Sequence, residues 1–470
     1  MIVVLPSLSF PRAELAKIVG IQHYEERMLC VLGMLADPKV RVVYLTSVDI
    51  DPATVDYYLG WLEDPESARD RLILLSLNDG EIEGLTRKLL RDQRALRRVK
   101  DLVGGAPGAY VLPFNVTTAE ADFATTVGAS LYGPSPELVP LGSKSGSRKV
   151  AREAGVPLLE GAEDLYSLEG VERALGRLKR RGTEAGVVKL NNGFSGQGNA
   201  VVELGSTTSA LEPSTMTFAA SEESLESFAA KIAAEGAVVE ELLRAPRLMS
   251  PSVQMRITPE RDIEVISTHE QILGGVDLQV YLGCRFPAEQ PYRGVIQEHA
   301  IRIAEVLAAR GVVGYFGIDF VVVLDASGAP VEIYMSEINL RIGGTWHPFV
   351  MTKLVTGASY DVVSGRLMAG DKPKVYVATD NLKSKRFKGL RPEEAIDALQ
   401  ASGLGYDRSA GTGALLHLLG ALPEHGKVGA TCIGDSRDEA DELHEAVVGV
   451  LEQAASRPHS KGPPRRSRGG

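Results

Sequence analysis

Two acids and an amide stand where a hard cation could be held. Asp319 lies in the apolar run 314–323, and Glu337 and Asn339 lie in a second run that begins at Val331. Between them, Asp325-Ala-Ser-Gly328 is a hairpin connection. Side chains alternate faces along a strand, so Glu337 and Asn339 project together, and Asp319 joins them if it lies across the hairpin. Three convergent oxygen ligands suit Mg2+, which takes a few protein oxygens and leaves its other positions to water and phosphate. The plain alternative is two buried strands with stray polar groups, which would be costly without partners.

A second constellation handles anions. In Ala185-Gly-Val-Val-Lys189-Leu-Asn-Asn-Gly193-Phe-Ser195-Gly196-Gln-Gly198, a lysine on an apolar strand precedes a glycine-rich loop. A lysine in that setting is costly until its ammonium meets an anion. Gly193, Gly196 and Gly198, with Ser195, let the backbone approach a ligand and present its N–H groups. The pattern is a phosphate cradle, with the phosphate as the anion for Lys189. Lys144 opens the helix after Gly142-Ser; it is either an ordinary surface lysine or a second cation for the same site. Val238-Val-Glu240-Glu241-Leu242-Leu243 reads as a strand turning into a connector. Its backbone can meet the edge of an adenine, although a plain edge strand would look the same.

The elements that must position these groups alternate. Residues 2–5, 40–45, 72–77 and 109–112 read as strands, separated by helical stretches at 12–35, 51–69 and 85–99. That order implies a parallel sheet covered by helices over residues 1–135. A smaller unit follows at 136–236, with helices at 147–154, 164–181 and 225–234 and the lysine strand at 185–190. Strands dominate 237–370, broken by a helix at 295–310, and a mixed α/β unit occupies 371–455. The remainder, 456–470, is rich in Pro, Gly, Ser and cations and is expected to be a disordered basic tail.

Composition limits the alternatives. With 470 residues the chain should form about three domains. A net charge of −10, with five cations concentrated after Ser456, leaves an acidic body and argues against a nucleic-acid partner. No apolar run approaches the roughly 20 residues of a membrane span. The opening Met-Ile-Val-Val-Leu-Pro reads as a first strand rather than a leader. Cys30, Cys284 and Cys432 are far apart, with no metal or disulfide spacing, which fits a reducing cytoplasm.

Taken in order, Lys144, Lys189 with its loop, Glu240-Glu241-Leu-Leu243, and Asp319/Glu337/Asn339 resemble the ATP-grasp superfamily over about residues 110 to 345. The resemblance implies an α/β, ATP-grasp fold: an N-terminal parallel α/β domain, a small α+β lid subdomain and a larger α+β subdomain, here with an extra C-terminal α/β domain. It implies an ADP-forming carboxylate–amine ligase that binds ATP on the lysines, the loop and residues 240–243. It further implies two Mg2+ ions, for which Mn2+ can substitute, on the two acids and the amide. A carboxylate would attack the γ-phosphate, and an amine would displace phosphate from the acyl phosphate.

A narrower likeness to actinobacterial peptide ligases of pheganomycin-type antibiotic biosynthesis rests on Tyr44-Leu-Thr-Ser-Val-Asp49-Ile-Asp51-Pro52, Ser267-Thr-His269-Glu270-Gln271 and the C-terminal extension. It implies an amino acid, guanidino-bearing in that family, joined to the amino terminus of a peptide. Several ligases place an arginine two residues before the first metal acid; here Gly317 stands there, so Arg341 or Arg285 would meet the acyl phosphate, with Arg341 better placed. His269 is a candidate proton acceptor or a structural histidine, and Glu270 a candidate counter-ion for a guanidinium. Gly343 and Gly344 are candidate substrate contacts. Competing functions are a carboxylase-like activation of bicarbonate and a non-catalytic ATP-binding protein of the same fold.

Overall fold

The computed structural model describes residues 1–193, 198–205, 216–219, 223–274 and 280–456. The N-terminal strands Ile2–Leu5, Val42–Thr46, Leu72–Ser76, Tyr110–Pro113 and Ser130–Leu131 form one parallel sheet, with Ile2–Leu5 between Val42–Thr46 and Tyr110–Pro113. The first two strands are wholly buried, as a parallel sheet covered on both faces requires. Strand order reverses direction around Ile2–Leu5, so a crevice opens beyond Leu5 and Pro113, the place where open α/β sheets bind ligands.

Helices break where the sequence supplies punctuation. The expected helix over 12–35 is split into Arg12–Leu15 and a 3-10 segment, Ile21–Ala36, because Gly20 takes a left-handed φ of 73°. The stretch 51–69 becomes Pro52–Leu59 and Pro65–Asp70, capped by Asp51 and Asp64, each with proline in its first turn. Asp92 divides the third stretch in the same manner.

A five-stranded antiparallel sheet follows, in the order Gly161–Leu165, Ala237–Glu241, Ala185–Leu190, Asn199–Glu203, Met216–Phe218. A helix, Leu168–Arg180, covers it, where the sequence reading extended one helix from 164 and so missed the first strand.

Among the described residues the largest sheet holds eleven strands. Its hairpin, Gly314–Leu324 with Pro330–Asn339, turns where Asp325 Oδ1 accepts from the backbone N–H of Ser327 (2.8 Å) and Ala329 (3.0 Å). The row continues through Pro251–Ile257, Ile263–Gly274 and Val280–Phe286. It then passes into the C-terminal domain, because Lys372–Lys383 pairs with Val280–Phe286 and Lys427–Gly434 pairs with Lys372–Lys383. The C-terminal α/β domain therefore extends this sheet. One face of the sheet packs on Gln290–Ala309; the other packs on the N-terminal domain and the helix Trp346–Thr356.

The helix Lys144–Glu153 is wedged against the turn before it. A Cβ on Gly146 would lie 2.1 Å from the Pro140 carbonyl oxygen. Gly146→Ala is therefore expected to destabilise the protein by roughly 1–3 kcal/mol, read as a lower midpoint in thermal or urea unfolding.

Candidate active site

Hairpin register puts Asp319 directly opposite Glu337, with Asn339 two residues on and opposite Gly317. Asn339 Nδ2 donates to Asp319 Oδ2 at 3.0 Å, and Arg341 donates to Asn339 Oδ1. Lys144 Nζ stands 3.5 Å from Glu337 Oε1 and donates to the Gly193 carbonyl at 3.2 Å. One cluster thus joins the three candidate oxygen ligands to Lys144 and Arg341. Burial, followed by the neighbouring charge of Glu337, pushes Asp319 from its ordinary value up to about 7; Arg341 and hydrogen bonds from Asn339 and Gln271 act the other way. A pair of acids strained together in this way fits a hard cation, which would remove the repulsion.

Lys144 is fixed by its helix. Ser143 caps the first turn by accepting from Gly146 N. The N–H of Lys144 reaches the Asn191 carbonyl at 3.3 Å, and the N–H of Ser145 reaches Asn191 Oδ1 at 3.0 Å. On the next turn, Ser147 Oγ accepts from Ile338 N at 3.0 Å. The helix start is therefore clamped between the end of the lysine strand and the strand Pro330–Asn339. Gly193 and Gly198 close the base of the loop: a Cβ on Gly198 would meet the Gly193 Cα at 2.9 Å. Ser195 and Gly196 lie outside the described residues.

Lys189 overturns one expectation. It does not wait for phosphate as its anion, since Nζ lies 2.8 Å from Glu240 Oε2, and Arg148 holds the other oxygen of Glu240 at 2.6 Å. Glu240 is 2 % exposed, and these two cations hold its pKa below the ordinary value despite burial. Its carboxylate is thus engaged inside the protein, and Glu241 Oε1 accepts from Glu160 N at 3.0 Å. Arg148, which also reaches Glu163 and the Leu159 carbonyl, was missed by the sequence reading. The available signal was its position four residues after Lys144, on the same helical face.

Three candidates lie elsewhere. His269 shares a face with Asp319, since Ser252 pairs with both, but sits two strands away. Its ring packs among Phe286, Phe349 and Tyr376, and Nε2 is 2.6 Å from the Tyr376 hydroxyl. Burial lowers it to about 3, so it is neutral and a poor proton acceptor. Glu270 and Arg285 pair across the strands on the opposite face. There Glu270 accepts from Glu289 N and Tyr292, and Arg285 binds Asp441 at 2.9 Å. Neither reaches the cluster, and of the two arginines it is Arg341 that does.

The segment after Arg341 docks on the N-terminal crevice: Ile342 N donates to the Phe114 carbonyl at 3.0 Å, and the Arg341 guanidinium lies 6.0 Å from the Phe10 ring centre. Gly343 and Gly344 follow, with Gly344 against Arg27 and Tyr281.

Residues 214–363 match the family described as IQCH-like, ATP-grasp, and residues 394–447 match the PGM1 C-terminal domain. The chain is 32% identical to the L-propargylglycine--L-glutamate ligase of Streptantibioticus cattleyicolor, over 93% of this chain and 91% of that protein. It belongs to the ATP-grasp ligases. As a member it is an enzyme, an ATP-binding, ADP-forming carboxylate–amine ligase, and its relative's activity fits antibiotic biosynthesis. IQ motif-containing protein H of Danio rerio is 22% identical over 98% of this chain, which spans about half of that protein, 49%. In fold, the ATP-grasp chain is similar to N5-carboxyaminoimidazole ribonucleotide synthetase (TM-score 0.54, 14% identity, 96% of each chain). The biotin carboxylase of Campylobacter jejuni is alike to the same degree (TM-score 0.54, 13% identity, 97% of this chain and 95% of that one). Among the described residues no helix is long and apolar enough to cross a membrane.

Because Lys189 is a structural counter-ion, Lys189→Met should lower the stability of the nucleotide-free protein by roughly 1–3 kcal/mol. Glu240 has a depressed folded pKa, so its contribution is present above its unfolded value near 4.5 and is lost as pH falls through the folded value. Unfolding midpoints measured from pH 7 down to 3 should fall less steeply in the variant.

Proposed function

We propose that this ligase activates the carboxylate of an amino acid with ATP and joins it to the amine of an amino acid or peptide. The observation that carries this reading is the single cluster of Asp319, Glu337 and Asn339 between Lys144 and Arg341, facing the N-terminal crevice. Lys144 and Lys189 would meet the ATP phosphates, and the backbone near Glu241 and Leu243 the adenine. Asp319, Glu337 and Asn339 would hold Mg2+, two ions by family likeness, with Mn2+ as a substitute. Bound there, the metal would supply positive charge against the phosphate oxygens.

A carboxylate oxygen of the first substrate attacks the γ-phosphorus, and ADP leaves with the electrons of the broken P–O bond. The amine then attacks the acyl carbon, phosphate departs, and the amine gives up a proton. Arg341 stands beside the cluster and neutralises charge on the acyl phosphate oxygens, an electrostatic role that needs no movement of the protein. Burial lowers the Arg341 pKa, and the charges of Glu337 and Asp319 act the other way.

The relative from Streptantibioticus cattleyicolor is named for joining propargylglycine and glutamate. They support α-amino acids as the class on both sides of the new bond. A guanidino-bearing substrate has less support, since its expected counter-ion, Glu270, faces away.

Two measurements test the reading. Incubation with Mg-ATP and pairs of amino acids and short peptides should release ADP and yield a product whose mass is that of the pair less water; ADP formation that no amine stimulates would count against ligation. Glu337→Gln should cut turnover by about a hundredfold or more while ATP affinity changes little, and near-normal ADP release by that variant would remove Glu337 from the metal site.

A further inference from the structure

Beyond Arg341, a second group of cations gathers at the meeting of all three large units. Arg27 comes from the N-terminal domain, Gly344 from the segment after the metal strand, and Asp380, His417 and Lys427 from the C-terminal domain. Arg27 Nε is 3.2 Å from Asp380 Oδ2, with no aligned hydrogen-bond acceptor. Its guanidinium lies 5.2 Å from the Tyr24 ring centre and 5.6 Å from that of Phe114. The other oxygen of Asp380 is held by His417 Nε2 at 2.9 Å and stands 3.2 Å from His347 Nε2. Lys427 Nζ donates to the Tyr24 hydroxyl at 2.6 Å and is 6 % exposed.

The charges do not balance. Asp380 is the carboxylate that acts on both Arg27 and Lys427, and burial keeps His347 neutral by lowering it to about 4. Burial also lowers Lys427 to about 8, as expected of a cation short of a partner. Buried cations in excess of buried anions favour an anionic ligand. Gly344 brings the guanidinium to the Arg341 segment: a Cβ there would lie 2.8 Å from Arg27 Nη2 and 3.1 Å from the Tyr281 ring, so glycine lets the end of the guanidinium pack closely against the chain that follows Arg341.

We propose that Arg27, with Lys427 beside it, binds the free carboxylate of the amine-donating substrate, which is therefore a single α-amino acid. This rests on the ligase reading. The reacting carboxylate belongs at Arg341 and the metal ligands, so the anion at Arg27 is a second one. Arg27 lies beside the Arg341 segment, since its guanidinium packs on Phe114, whose carbonyl accepts from Ile342 N. In an α-amino acid one carbon separates amine from carboxylate, so an amine attacking beside Arg341 carries its carboxylate toward Arg27. In a peptide each further residue moves the terminal carboxylate about 3.3–3.6 Å away. Asp380, His347 and His417 are positioning residues that fix the guanidinium, and they give the C-terminal domain a part in substrate choice.

The test compares wild type with Arg27→Gln in steady-state ligation, using an amino acid and its α-amide as alternative amine substrates. Wild type should prefer the free acid about tenfold or more, and Arg27→Gln should raise its KM about 10- to 100-fold. The preference should vanish in the variant, with KM for ATP and for the activated amino acid unchanged. A preference that survives in Arg27→Gln, or an equal loss on both amino-acid substrates, overturns the proposal. If Arg27→Gln does not fold, Gly344→Ala carries the test with the same expectation. If wild type forms no ADP with any pair, the ligase reading falls by itself. Calorimetric titration of the amino acids and α-amides, with Mg2+ and a non-hydrolysable ATP analogue, still decides the anion site: equal binding of acid and amide by wild type rejects it.

Discussion

Two carboxylates held face to face on a hairpin set the terms for the rest of the molecule. Asp319 lies directly opposite Glu337, and burial, followed by the charge of Glu337, raises its pKa. Lys144 and Arg341 answer from opposite sides, each delivered by a separate device. The lysine arrives at the start of a helix clamped to both the lid sheet and the metal strand. The arginine arrives on the segment that anchors the large sheet to the N-terminal crevice. Electrostatic demand at one point thus explains why three units meet there.

The lid applies the same rule to another anion. Glu240 is buried between Lys189 and Arg148, so the strand lysine is already ordered when nucleotide comes. A cation held in place by a protein carboxylate loses less side-chain freedom on meeting phosphate than a loose one. A phosphate meeting Lys189 would share the ammonium with Glu240, an arrangement that would trade attraction for preorganisation.

The parts legible in the sequence were those that depend on local repetition. Alternation of apolar residues around Asp325-Ala-Ser-Gly328 gave the hairpin, and the spacing of Asp319, Glu337 and Asn339 gave a shared face. The partner of Lys189 was hidden because Glu240 and Arg148 are brought to it from distant elements. Strand parity also misled: it separates His269 from Glu270 by face, but does not say how many strands lie between His269 and the metal ligands. Arg285 failed for the same reason, since only cross-strand pairing reveals that it turns toward Asp441. Lys372–Lys383 escaped notice because lysines, Asp380 and Asn381 interrupt its apolar pattern, although its centre is buried between two neighbours.

That strand has a wider consequence. Lys372–Lys383 pairs with Cys284, Arg285 and Phe286 at the end of Val280–Phe286, so the C-terminal domain is stitched into the large sheet by backbone pairing. Cutting the chain before Lys372 would leave a raw edge along Val280–Phe286, an invitation to pair with other copies. A terminal unit of this kind cannot be gained, lost or exchanged as a loose module. It must change in step with the sheet it finishes, which ties the history of the C-terminal domain to that of the ligase core.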